Sequence, residues 1–277
     1  MKALRIATIL PLLMLTAGVL WAATQYGEAT IEQGSMTIVR EGQTLKFDQV
    51  NRSIPVNEED LIRVRPESQV ELKSRENATM TLGSNAVFQV RPWRSRDSSG
   101  FVRALFGRFR ATVVGLSGGE QFNVKTATAT IGVKGTEYHS QVTSRGGTLL
   151  IVTDNVVGLR GQRGPEQDVG RGLLSLTLGI NPATPRSPVP PGVQQQFGRQ
   201  NLGSPSPNSS EARDFAGQQS LIDAGVVSQE QVRENQGDSA PAGTPPAPPA
   251  PPPAPTIDPN AGADAARRAR VPLQFSR

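Results

Sequence analysis

From Gly34 to Ile180 apolar residues recur at every second position in short runs, and glycine or asparagine breaks each run before it lengthens. The runs are Val70/Leu72, Met80/Leu82, Ala86/Phe88/Val90, Phe109/Ala111/Val113, Phe122/Val124, Tyr138/Ser140/Val142 and Leu174/Leu176/Leu178/Ile180. A period of two sends successive side chains to opposite faces of a strand, so each run predicts a strand with one buried face. Turn residues lie between them at Gly83 to Asn85, Ser98 to Gly100, Ser117 to Gly119, Arg145 to Gly147 and Gly161 to Gly164, where glycine and asparagine tolerate positive φ. No stretch sustains a helical period. The expectation is an all-β domain, short-stranded and β-solenoid-like or a β-roll, with a β-sandwich as the alternative; about 145 residues is enough to bury one core unaided.

Prolines mark where that domain stops. Upstream of residue 181 the β-patterned stretch holds only Pro55, Pro66, Pro92 and Pro165, whereas eighteen of the 23 prolines lie at or after Pro182. Residues 181–210, rich in Pro, Ser and Gln, predict a disordered linker, because they lack the apolar content that offsets ordering entropy. Residues 211–236 differ. Phe215, Leu221, Ile222, Val226, Val227 and Val232 interrupt polar sequence, and Ser228 with Gln231 fits a capping box opening a helix after an Ala224-Gly225 turn. This segment resembles the helical hairpins called SHOCT; the other reading is a transient helix in a disordered tail. Residues 237–277 form a Pro/Ala-rich disordered tail with a basic end at Arg267, Arg268, Arg270 and Arg277. Its proline run predicts an extended polyproline II spacer.

The other end sets the compartment. Lys2 and Arg5 precede an uncharged, leucine-rich run from Ile6 to Ala23, which reads as a signal peptide or an uncleaved N-terminal anchor over residues 1–29. Export to the periplasm or cell envelope follows, with membrane contact only through that segment if it is retained. The chain has no cysteine, so neither a disulfide framework nor a lipid-modified cysteine is available.

Net charge is +5, and acids and bases interleave over most of the chain. One stretch departs from this. Arg91, Arg94, Arg96, Arg103, Arg108 and Arg110 stand against the single acid Asp97, with Trp93 among them. These residues are the candidate partner-binding site, a basic rim for an anionic envelope polymer or a protein partner; export disfavours nucleic acid. The other reading makes Arg108 and Arg110 solvent-facing positions of a half-buried strand, because they alternate with Phe109, Ala111 and Val113.

Several segments together resemble the FecR domain: Gly34–Gly42, Val56–Val64, Ser68–Leu72, Ala78–Asn85, Phe122–Tyr138, Thr148–Leu159 and Val169–Leu176. Two departures stand out. Glu59 replaces the glycine usual before Asp60, and Asn155 replaces another, although asparagine tolerates the same left-handed conformation. The family signature falls on Gly132, Lys134, Gly135 and Thr136, read as a structural element whose small residues let backbones approach closely. The resemblance implies a free-standing exported domain. With five residues before the apolar run, no cytoplasmic segment is expected to hold a sigma factor directly.

Catalysis finds no purchase. His139 is the one histidine, with no nucleophile and acid at triad spacing, and Glu58 to Asp60 reads as a solvated turn. No cofactor or metal motif is present. Two functions remain: a non-enzymatic scaffold or binding module, and, as the alternative, a periplasmic sensory component of a transport or stress pathway acting through another membrane protein.

Overall fold

The computed structural model describes residues 25–75, 77–91, 101–114, 122–133, 135–198 and 214–236. In chain order the strands are β1 (Gln25–Gln33), β2 (Met36–Arg40), β3 (Gln43–Phe47), β4 (Ser53–Asn57), β5 (Leu61–Val64), β6 (Gln69–Ser74), β7 (Ala78–Leu82) and β8 (Val87–Val90). There follow β9 (Phe101–Val113), β10 (Phe122–Lys125), β11 (Ala129–Val133), β12 (Glu137–Val142), β13 (Thr148–Asp154), β14 (Val156–Gly161), β15 (Gln167–Gly170), β16 (Leu173–Thr177) and β17 (Ser187–Pro188). Three helices complete the described residues: α1 (Pro191–Gly198), α2 (Gln218–Asp223) and α3 (Gln229–Gln236).

The strands pair in two ladders. One runs β4-β1-β6-β7-β9-β12-β13-β16-β17. The other runs β3-β2-β5-β8-β9-β10-β11-β14-β15. All these pairings are antiparallel except β9 with β10. β9 belongs to both ladders, and the join falls at Gly107. Its first half pairs with β8 and β10, its second half with β7 and β12. Gly107 has φ 104°, and a Cβ there would lie 2.6 Å from the Ala86 Cα, so no side chain fits where the strand changes ladder. The protein is thus mostly β, as the alternation predicts, with a shared core that a roll and a sandwich would both have.

That core takes residues from both ladders. Phe88 meets Phe109 edge to face at 5.1 Å, and Phe109 meets Tyr138 at 6.0 Å. All three rings are fully buried, each contributing about 1.5–3 kcal/mol of hydrophobic stabilisation. β1 begins at Gln25, and Tyr26 and Ala29 are core residues, so the β domain starts inside the segment read as a leader. The apolar run from Ile6 to Ala23 lies outside the described residues. Among those described, no helix is long and apolar enough to cross a membrane.

β13 is buried on both faces, which explains its uninterrupted Leu149, Leu150, Ile151 and Val152. Leu150 and Val152 join the main core, while Leu149 and Ile151 join Leu174, Leu176 and Leu178 in a second cluster. Helices cover that second face. Val193 and Phe197 of α1, together with Phe215, Leu221, Val226, Val227 and Val232, pack onto it. Residues 181–198, read as disordered linker, therefore carry β17 and α1; Val193 and Phe197, one helical turn apart, supply the apolar face that a proline count overlooks. Pro191 opens α1, a position where its missing N–H costs nothing.

Residues 214–236 dock through a polar clamp as well. The buried Gln141 side chain donates to the Asp214 carbonyl at 3.1 Å and accepts from the Ala216 N–H at 2.8 Å. α3 opens with reciprocal hydrogen bonds, Ser228 N–H to Gln231 Oε1 at 2.9 Å and Gln231 N–H to Ser228 Oγ at 3.1 Å, the capping box read from the sequence. Gly225 has φ 66° in the turn between α2 and α3. Residues 199–213 and the Pro/Ala-rich tail from 237 lie outside the described residues.

Candidate cationic site

The described part of the arginine-rich stretch is divided between the two ladders. Trp93, Arg94 and Arg96 lie outside the described residues, and β9 distributes the rest between ladders. Arg103 precedes Gly107 and stands beside β8 and β10; Arg108 and Arg110 follow it and stand beside β7 and β12. In the second half of β9, Phe109, Ala111 and Val113 are buried, and Arg108 and Arg110 are partly exposed on the opposite face.

Arg110 is committed to a local ion pair. Its Nη2 donates to Glu137 Oε2 at 2.7 Å, and the Thr153 hydroxyl donates to Glu137 Oε1 at 3.1 Å. Burial alone would raise the Glu137 carboxyl, but the hydrogen bond and charge of Arg110 outweigh it and hold the carboxyl below its ordinary range. His139, the register partner of Arg110, is pushed below the ordinary histidine value by burial first and by the Arg110 charge second. Its Nδ1 is buried without a hydrogen-bond partner, and its ring meets Phe197 of α1 at 6.1 Å. This surrounding fits a packed neutral imidazole.

Arg91 and Arg103 come together elsewhere. They line a cleft of about 320 Å³ with Lys125, the turn from Thr126 to Thr128, Ala129, Thr130, Gly161 and Gln162. Three cations and no carboxylate appear in that lining. Arg91 has an acid at hand, donating from Nη1 to Glu59 Oε2 at 3.0 Å. The turn behind the cleft is held by buried threonines. Thr126 Oγ1 accepts from the N–H groups of Thr128 and Ala129 at 3.2 and 2.9 Å and bonds Thr148 Oγ1 at 2.7 Å, while Thr128 Oγ1 donates to the Gly146 carbonyl at 2.6 Å. Gln162 Nε2 closes the outside, donating to the Ala127 carbonyl at 2.6 Å.

The signature residues line a different hollow. Gly132, Gly135 and Thr136 border a space of about 460 Å³ with Asn155, Val156, Gly158, Glu166 and Asp168; Lys134 lies outside the described residues. Gly132 sits between Asn123 and Gly158 on neighbouring strands, and Gly135 has φ 111°. Asn155 takes the left-handed conformation at φ 55° and donates from Nδ2 to the Gly135 carbonyl at 3.0 Å. Glu59 likewise stands at φ 67°, so the position keeps the backbone that glycine would favour. Asp60 corrects the reading of Glu58 to Asp60 as a solvated turn. It is buried, and it accepts from Arg40 Nε and Nη2 and from the Asn57 N–H. Arg40 lies far enough upstream that sequence spacing gives no hint of the pair.

Among the described residues, no group of three or more His, Cys, Asp or Glu could hold a metal ion. Two crystal structures of a candidate anti-sigma factor from Parabacteroides distasonis, at 2.50 and 1.65 Å, are similar to this chain. Each has 14% identity and a TM-score of 0.41 and covers 46% of this chain and 59% of that one, so the chain spans about three fifths of their length. No curated protein matches. Residues 60–158 match the family model described as FecR protein. That match runs from Asp60 into β14 and takes in the shared strand β9, most of the cationic cleft and the signature glycines, so this part of the chain is similar to the FecR family.

Proposed function

We propose that the chain is an exported, non-enzymatic sensory component of an envelope transport or stress pathway, whose FecR domain engages a partner and acts through another membrane protein. The match of residues 60–158 to the FecR family carries this reading, because it covers the strand common to both ladders and the faces that β9 presents. We read the architecture as a β-roll, since each ladder advances nearly in sequence order. The signal-like run from Ile6 to Ala23 supports export.

The test is photo-crosslinking in intact cells from positions 103 and 125, paired with transcript profiling of a deletion strain. A membrane-protein adduct together with a changed, discrete set of transcripts is the expected result. The cationic cleft favours a second reading, a scaffold that tethers an envelope polymer. An adduct to polymer with unchanged transcripts would select it over the sensory one.

A further inference from the structure

We propose that the solvent face of the second ladder, at the row Arg103, Lys125, Thr130 and Arg160 with Arg91 at its edge, is a binding site for a phosphate-bearing ligand. This deepens the reading above by naming a ligand chemistry for the FecR domain, and it is tested apart from any signalling role.

The row is set by register. Arg103 on β9 is the partner of Lys125 on β10, Lys125 of Thr130 on β11, and Thr130 of Arg160 on β14. Register partners project to the same face, and neighbouring strands lie about 4.8 Å apart, so three cations fall within roughly 15 Å along one line. Arg103, Lys125 and Arg160 are all exposed. Like charges directly opposed on adjacent strands disfavour folding, and among the described residues no ion pair offsets Arg103 or Arg160. A bound polyanion would remove that repulsion.

The cleft beneath the row favours a compact anion. Its volume of about 320 Å³ suits a phosphorylated small molecule or headgroup and is too small for a folded element. Guanidinium forks match phosphate oxygens, and the ammonium of Lys125 adds a point charge beside them. The threonine-pinned turn holds the wall in place before a ligand arrives, which limits the ordering cost of binding. An extended acidic peptide would need an open groove along the strands, whereas these cations are strung across them.

Isothermal titration of the full chain at low salt checks this with three probes: inorganic phosphate, glucose 6-phosphate, and phosphatidylglycerol vesicles against phosphatidylcholine vesicles. Binding of a soluble phosphate indicates a free phosphorylated ligand, and binding only to the anionic vesicles indicates a lipid headgroup. In either arm the R103Q/K125Q double variant is expected to weaken binding at least tenfold. K125R should retain it, and R63Q, on β5 of the same ladder, should leave it unchanged. No binding in any arm, an equal loss in R63Q, or tighter binding of hexaglutamate than of every phosphate probe would overturn the proposal. None of these results bears on the crosslinking and transcript outcomes, so the two readings fail separately.

Discussion

Arg40 grips Asp60 through two parallel hydrogen bonds, Nε to Oδ1 at 2.9 Å and Nη2 to Oδ2 at 2.7 Å, with the Asp60 side chain 1% exposed. The same guanidinium donates to the Pro55 carbonyl at 2.9 Å, and Asp60 accepts from the Asn57 N–H at 2.8 Å. One carboxylate thus ties β2, β4 and the entry to β5 together. Removing Asp60 takes the charged hydrogen bonds from Arg40, which at 27% exposure can still reach water, and strands the Asn57 N–H, at a cost of about 1.5–3 kcal/mol. Asp60→Ala should lower the urea midpoint accordingly, and an unchanged midpoint would show that the pair contributes nothing net.

Tyr138 points to the opposite kind of change. Its ring is fully buried, its hydroxyl has no hydrogen-bond partner, and burial pushes the phenol well above its ordinary range. An unsatisfied buried hydroxyl costs about 1–3 kcal/mol, and phenylalanine keeps the contact with Phe109. Tyr138→Phe should therefore raise the melting temperature. A fall would mean that the hydroxyl has a stabilising partner.

Glu137 and His139 set the acid response. Glu137 has a lowered folded pKa, so its contribution is present above its unfolded value near 4.5 and is lost as pH falls through the folded one. His139, also lowered from about 6.5, is favoured neutral by the fold; its contribution is present above 6.5 and is lost as pH falls through its folded value. Both terms weaken the fold in acid, and the histidine term enters first. Urea midpoints measured from pH 7 to 5 should slope downward in the wild type and flatten in His139→Leu. An equal slope in both would remove His139 from this account.

Gln141 should govern how residues 214–236 dock. Its two hydrogen bonds to the Asp214 and Ala216 backbone contribute about 0.5–1.5 kcal/mol each, and truncation strands both backbone groups. In Gln141→Ala, amide exchange should accelerate from Leu221 to Val232 while the core strands stay protected. Unchanged exchange there would assign docking to the apolar contacts alone.

What was legible in the sequence was whatever local spacing encodes. Alternation at Phe109, Ala111 and Val113, the left-handed Asn155 and the Ser228 to Gln231 cap all follow from near neighbours. Pairings between distant segments left no such trace. Arg40 and Asp60 meet across β2 and the start of β5, and Lys125 and Arg160 join Arg103 only through strand register. Contiguity therefore singles out residues 91–110, whose described members Arg103, Arg108 and Arg110 the fold divides between ladders. The change of ladder in β9 does leave a local mark, a shift of phase: Val102 and Ala104 are buried at even positions and Phe109, Ala111 and Val113 at odd ones, with a register irregularity between them.

That shared strand makes the two halves of the domain mechanically inseparable. A slip of β9 by one residue would turn Phe109 and Ala111 outward and Arg110 inward in one ladder, while Val102 and Ala104 would exchange places with Arg103 in the other. Neither ladder can creep to a new register alone, and Gly107, wedged against Ala86, bars any side chain from the pivot. A tug on the β17 end should thus be felt at the β3 end as an all-or-nothing event, a property suited to a part that must pass one state intact from one side to the other.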